Sequence, residues 1–297
     1  MAAPTYPGAV EPQRESFVES LGLRIHVVEW GDPGAEALLC CHGFWDHARS
    51  FAVLAPLLAD RWRVVALDAR GHGDSQWADA YHWGAHIRDI VAVAGWIGRP
   101  VHLIGHSMGG GQVVDAAYAL GAQARKVVNI DGFGPPPLSD EEEARTVERF
   151  TGFLEQRRLL ASRPDWRPYA ALEQLVQRRK AQNPRLSDEW LRYFVFHAAR
   201  RADDGWRWKA DPTLAIGTGP WRPDWIAPAY ARLQHPLLAV NGSETDTWGP
   251  LPDAIVAPRL EGVRRLTRAT IAGAGHFVHM EKPRETAALI RDWLEAA

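Results

Sequence analysis

Cysteine and methionine are scarce in this chain, and neither sign of charge prevails. Its 297 residues include two cysteines and three methionines, and Lys+Arg at 34 against Asp+Glu at 36 leave a formal net charge of −2. Near-neutrality removes the electrostatic basis for binding nucleic acid or an anionic membrane. The cysteines, Cys40 and Cys41, are adjacent in an apolar run of strand length. Successive strand side chains point to opposite faces, so a structural disulfide is not expected and two small buried residues are. No apolar run approaches the roughly 20 residues that span a bilayer. The opening MAAPTYPGAVEPQ lacks a basic stretch followed by an apolar one, so a cleaved leader is not expected and a cytoplasmic setting is. With 46% hydrophobic and 24% charged residues, the composition is that of a packed globular protein.

What the sequence does have is a rhythm. Strands are expected over residues 15–19 and 24–29, then over 37–41, 63–67, 101–104, 126–130, 236–240 and 266–271. Helices are expected over 47–59, 86–97, 107–120 and 282–296. Short apolar strands alternating with helices predict a mostly parallel sheet covered on both faces. Between 135 and 230 the rhythm stops. Pro135-Pro136-Pro137 breaks the chain, and Ser139 with Glu142 forms a capping box for a helix to about 160. Two more helices are expected over 170–181 and after the Ser187 cap. The domain reading is a core of residues 1–134 and 231–297 carrying a helical lid of 135–230.

The segment Gly105-His106-Ser107-Met108-Gly109 follows a strand and opens a helix. A G-x-S-x-G elbow needs that context, because the sharp turn strains the serine backbone and leaves no room for a Cβ two residues to either side. Ser107 is therefore a candidate nucleophile. His276, on the loop after the last strand, comes to the same carboxyl end of the sheet and is the candidate base. His279 competes but is explained by packing; His72 reads as structural, and His82 with His86 lack the pattern of a metal site. The orienting carboxylate is assigned to Asp246, beyond the strand at 236–240, with Glu244 and Asp131 as rivals. Asp131 closes the strand at 126–130, and a triad acid can come from either strand end. Oxyanion donors are expected from the backbone N–H groups of Met108 and Phe44, with Trp45 as the alternative to Phe44.

The His42-Gly43 pair, the glycine loop from Asp68 to Ser75, the elbow and the late Asp and His together resemble a serine hydrolase of the α/β-hydrolase superfamily, in its cap-bearing branch. That resemblance implies a small-molecule ester as substrate, cleaved through an acyl-enzyme. Epoxide hydrolases and dehalogenases of that branch carry Asp as nucleophile, where this chain has Ser107. The alternatives are a carbon–carbon bond hydrolase, a lactonase, or a receptor-like binder with slow turnover. No phosphate loop, dinucleotide fingerprint or metal-ligand spacing occurs, so neither cofactor nor metal is expected. Trp206 and Trp221 in the insertion serve either an acyl pocket or the packing of the lid, and its arginines either select a carboxylate or solvate outer faces.

Overall fold

The computed structural model describes residues 3–162, 165–217 and 223–296. Among the described residues there are ten strands: β1 Arg14–Ser20, β2 Leu23–Trp30, β3 Ala37–Cys41, β4 Arg63–Leu67, β5 Val101–His106, β6 Ala124–Ile130, β7 Ala199–Ala202, β8 Gly205–Trp208, β9 Leu237–Gly242 and β10 Leu266–Ile271. The α-helices are α1 Trp83–Ile97, α2 Met108–Leu120, α3 Asp140–Ala144, α4 Thr146–Ala161, α5 Leu172–Gln182, α6 Asp188–Ala198, α7 Ile226–Ala231, α8 Asp253–Leu260, α9 Val278–Glu281 and α10 Pro283–Glu295. Eight strands form one sheet in the order β1-β2-β4-β3-β5-β6-β9-β10. β2 runs antiparallel to both β1 and β4, and every other pairing is parallel.

The central strands of the sheet are buried on both faces, and their period-two alternation divides the core. Leu38, Cys40, Ile104 and Val128 pack on one side with α10 and the residues of α5 and α6. Leu39, Cys41, Leu103 and Val127 pack on the other with α1 and α2. The two cysteines thus face opposite cores and are free, as period-two geometry requires.

Two expectations fail. Residues 47–59 form two short 3₁₀ turns, Ala48–Phe51 and Ala55–Leu57, rather than an α-helix. Pro56 has no N–H to give to the carbonyl of Ala52, and its ring would collide with that carbonyl. Ala52 accepts instead from the N–H of Val10, at 3.0 Å. Phe51, Leu54 and Leu58 are buried all the same, so the apolar spacing reported burial correctly and helix type wrongly. The insertion, for its part, is not wholly helical. β7 and β8 pair antiparallel around Asp203-Asp204 and join no strand of the main sheet.

Candidate active site

Ser107 stands between β5 and α2 at φ 52, ψ −118, a region that non-glycine residues rarely occupy. Two features hold it there. Its N–H donates to the carbonyl of Ile130 at 2.9 Å, and its carbonyl accepts from Gly111 at 3.2 Å. Neighbouring backbone comes so close that a Cβ at Gly105 would lie 2.2 Å from the carbonyl oxygen of Gly109, and one at Gly109 would lie 2.3 Å from that of Cys41. The elbow therefore has the steric form expected from its sequence.

The loop before it is equally constrained. The Nδ1–H of His42 donates to the carbonyl of Gly43 at 2.7 Å, and its Nε2 accepts from the N–H of Ala69 at 2.9 Å. Asp46 N–H closes the turn onto the carbonyl of Gly43 at 3.2 Å, with Trp45 held at φ 62 inside it. That positive φ is usually filled by Gly or Asn. Phe44, whose N–H is a candidate oxyanion donor, occupies the other central position of this rigid turn.

His276 arrives on the loop between β10 and α9. Its Nδ1–H donates to Oδ2 of Asp131 at 2.6 Å. Asp131, just past β6 at φ 47, is buried, and its Oδ1 accepts from Nδ2 of Asn241 at 2.9 Å. The ring partner is thus Asp131, not Asp246. Asp246 is near but serves the backbone: its Oδ2 accepts from the N–H of His276 at 3.0 Å, and its Oδ1 from those of Trp248 at 2.8 Å and Gly249 at 3.2 Å. The loop it folds brings Gly249 against the pair, where a Cβ would lie 2.8 Å from Oδ2 of Asp131. Glu244 is exposed and accepts from the hydroxyl of its neighbour Ser243 at 2.9 Å.

A third contact fixes His276 from below. His106, fully buried, donates through Nε2–H to the carbonyl of His276 at 3.0 Å, and its Nδ1 faces Asp46 at 3.6 Å. Burial holds His106 below its ordinary pKa although Asp46 pulls upward, so the ring is neutral. Burial works against the charge of Asp46, yet the Arg179 guanidinium holds that carboxyl well below the usual range. Arg179 on α5 is ion-paired with Asp46 and donates to the carbonyl of Trp45 at 3.1 Å, tying the insertion to the loop before the elbow.

Three further histidines hold structural positions. His279 is fully buried, its ring 4.5 Å from that of His106. His72 donates from Nδ1 to the carbonyl of Arg70 at 3.0 Å, and His82 caps α1 through Nδ1, 3.2 Å from the N–H of Ala85. Among the described residues, His26, Asp68 and Asp74 group at a metal-like spacing. Asp68 already accepts from His26 at 2.8 Å, from the N–H of Ala48 at 2.6 Å and from that of Asp74 at 2.9 Å, which accounts for its burial.

Ser107 and His276 line one cavity of about 40 Å³, together with Phe44, Trp45, Arg179, Asn183 and Trp248. Room for a water is ≳ 10–15 Å³ on this scale, so the cavity admits small groups and not a whole substrate. Its indoles, Trp45 and Trp248, come from loops of the sheet domain. Trp206 packs on Phe196, at 6.0 Å between ring centres, and Trp221 lies outside the described residues. Arg179, which lines the cavity, is neutralised by Asp46.

The profile of the alpha/beta hydrolase family matches residues 38–289, a span that runs from β3 to α10. The chain belongs to that family. Relatives carry the name serine hydrolase-like protein. The one from Danio rerio is 29% identical over 188 residues, which cover 61% of this chain and 57% of that protein. The one from Dictyostelium discoideum is 24% identical over 92% of this chain and 78% of its own length. Serine hydrolase-like protein 2 of Homo sapiens is 27% identical over 90% and 89%. Among solved structures, a hypothetical protein from Pseudomonas aeruginosa superposes with a TM-score of 0.82 at 23% identity, over 97% of this chain and all of that one. A thioesterase domain from the curacin biosynthetic pathway gives 0.79 at 22%, over 94% and 99%. These structures share the fold with this alpha/beta hydrolase. No helix among its described residues is long and apolar enough to cross a membrane.

Proposed function

We propose that this hydrolase cleaves carboxylic esters of small or medium size through an acyl-enzyme on Ser107. The observation that carries the reading is the 2.6 Å contact of Asp131 with His276, in a residue that shares its cavity with a strained serine. His276 removes the proton of Ser107 as Oγ attacks the ester carbonyl, and a tetrahedral oxyanion forms. The N–H groups of Met108 and Phe44 accommodate that charge, each donor being worth ~2.7–4 kcal/mol to the transition state. Collapse expels the alcohol, which takes the proton from His276. Water, deprotonated by the same ring, then releases the acid and regenerates Ser107. Asp131 keeps Nδ1 protonated, so that Nε2 is the basic nitrogen, and it stabilises the imidazolium.

The test is turnover of p-nitrophenyl esters from acetate to octanoate by wild type and Ser107→Ala. Turnover is expected in wild type and lost in the variant, with circular dichroism unchanged. Wild-type activity in Ser107→Ala, or folded wild type inert on every ester, contradicts the reading.

A further inference from the structure

Helix α5 brings two polar groups to the cavity wall, one turn apart, and leaves both unanswered. Arg179 uses Nη2 on Asp46 and Nη1 on the carbonyl of Trp45, and its Nε is buried with no partner. Asn183, at the end of the helix, is 3% exposed, and neither Oδ1 nor Nδ2 has a partner. Buried carboxamides are almost always paired, because an unpaired one forfeits its hydrogen bonds to water. Both residues border the cavity that Ser107 and His276 line.

The chemistry of these atoms defines what answers them. Asp46 cancels the charge of Arg179, so the wall offers hydrogen bonds rather than net charge. Nε–H of Arg179 is only a donor, and Asn183 adds a second donor in Nδ2 beside an acceptor in Oδ1. Two donors a helical turn apart are met by oxygen acceptors. We infer that the substrate carries a second carbonyl-type oxygen beyond the scissile carbonyl, bound by Asn183 and Arg179, and that Asn183 selects for it. This rests on the hydrolase reading above and narrows its substrate class from small or medium esters to oxo-functionalised ones.

Matched pairs of esters test the inference: phenyl hexanoate against phenyl 4-oxo- and 5-oxohexanoate on the acyl side, and butyl against 3-oxobutyl acetate on the alcohol side. Wild type is expected to show at least a tenfold higher kcat/KM for the oxo member of one pair. Asn183→Leu, which has no donor, and Asn183→Asp, which keeps only acceptors, are both expected to bring that ratio near one; the ratio is the readout. The same pairs are titrated into Ser107→Ala by tryptophan fluorescence, since Trp45 and Trp248 line the cavity. Equal rates and equal affinities within every pair overturn the inference and leave the hydrolase standing. A preference that survives both Asn183 variants also overturns it. Preferential binding of an oxo ester without turnover of any ester supports the Asn183 site and sinks the hydrolase. Neither turnover nor preference sinks both.

Discussion

Two carboxylates touch His276, and they are separable by charge. Asp131 faces the ring and Asp246 the backbone N–H. Converting Asp131 to Asn favours the wrong tautomer and leaves the imidazolium uncompensated, so kcat is expected to fall about 10⁴-fold with stability little changed. Asp246→Asn weakens backbone hydrogen bonds near the ring and is expected to cost about tenfold or less, the worth of roughly one such bond. Steady-state kinetics of the two variants on one ester decides between them, and a larger loss in Asp246→Asn reverses the assignment. The placement of Ser107 at the elbow and of His276 on the loop after the last strand was legible, because local sequence dictates both. The partner of the ring was not: Asp131 and Asp246 both follow strands that reach the same sheet edge. Which one meets the ring depends on the backbone of Asp131, at φ 47, and on its anchor Asn241, neither of which leaves a mark in the sequence. Asn183 was equally hidden, since nothing in a helix-ending Asn-Pro distinguishes an amide facing a cavity from one facing water.

At the level of elements, strands were read well and the segments between them less so. The central strands announce themselves as apolar runs buried on two faces, whereas the 3₁₀ turns at Ala48–Phe51 and Ala55–Leu57 carry helical spacing without a helix. The β7–β8 hairpin was missed because Arg200, Arg201 and Arg207 leave little apolar alternation. The ion pair that joins α5 to the loop before the elbow is the element contact most open to measurement. Arg179 and Asp46 are both buried. Arg179→Met strands a buried carboxylate and is expected to lower unfolding free energy by about 3–5 kcal/mol in urea titrations. Adding Asp46→Leu should restore most of it, and simple additivity of the two losses would deny that they are coupled. Gly249→Ala concerns the same end of the sheet. Its Cβ would press on Asp131 Oδ2 and His276 Nδ1, so kcat should fall while KM changes little.

Across the whole molecule, histidines buried as neutral rings set the response to acid. Burial lowers His47 to about 4 and His72 to about 3, and it puts His86, His106 and His279 below their ordinary value as well. Unfolded, each titrates near 6.5. Below that pH the unfolded chain binds protons that the native state refuses, so stability is complete above about 7 and drains away as pH falls through 6.5 toward 4. His26 runs the other way: burial opposes its charge, but Asp68 lifts its pKa above the ordinary value. His102 and His197 are lowered too, so one ring stands against seven and the balance lies with acid lability. Urea midpoints measured from pH 8 to pH 4.5 should fall steadily below pH 6.5, and a flat profile would contradict the burial of neutral rings.

The central claim is a covalent intermediate on Ser107. Mixing the enzyme with a p-nitrophenyl ester, quenching in acid within the first turnovers and mapping peptides by mass spectrometry tests it most directly. The expected result is one acyl group on the peptide containing Ser107, absent from Ser107→Ala. Turnover with no acylated peptide, or with the acyl group on another residue, would contradict the account.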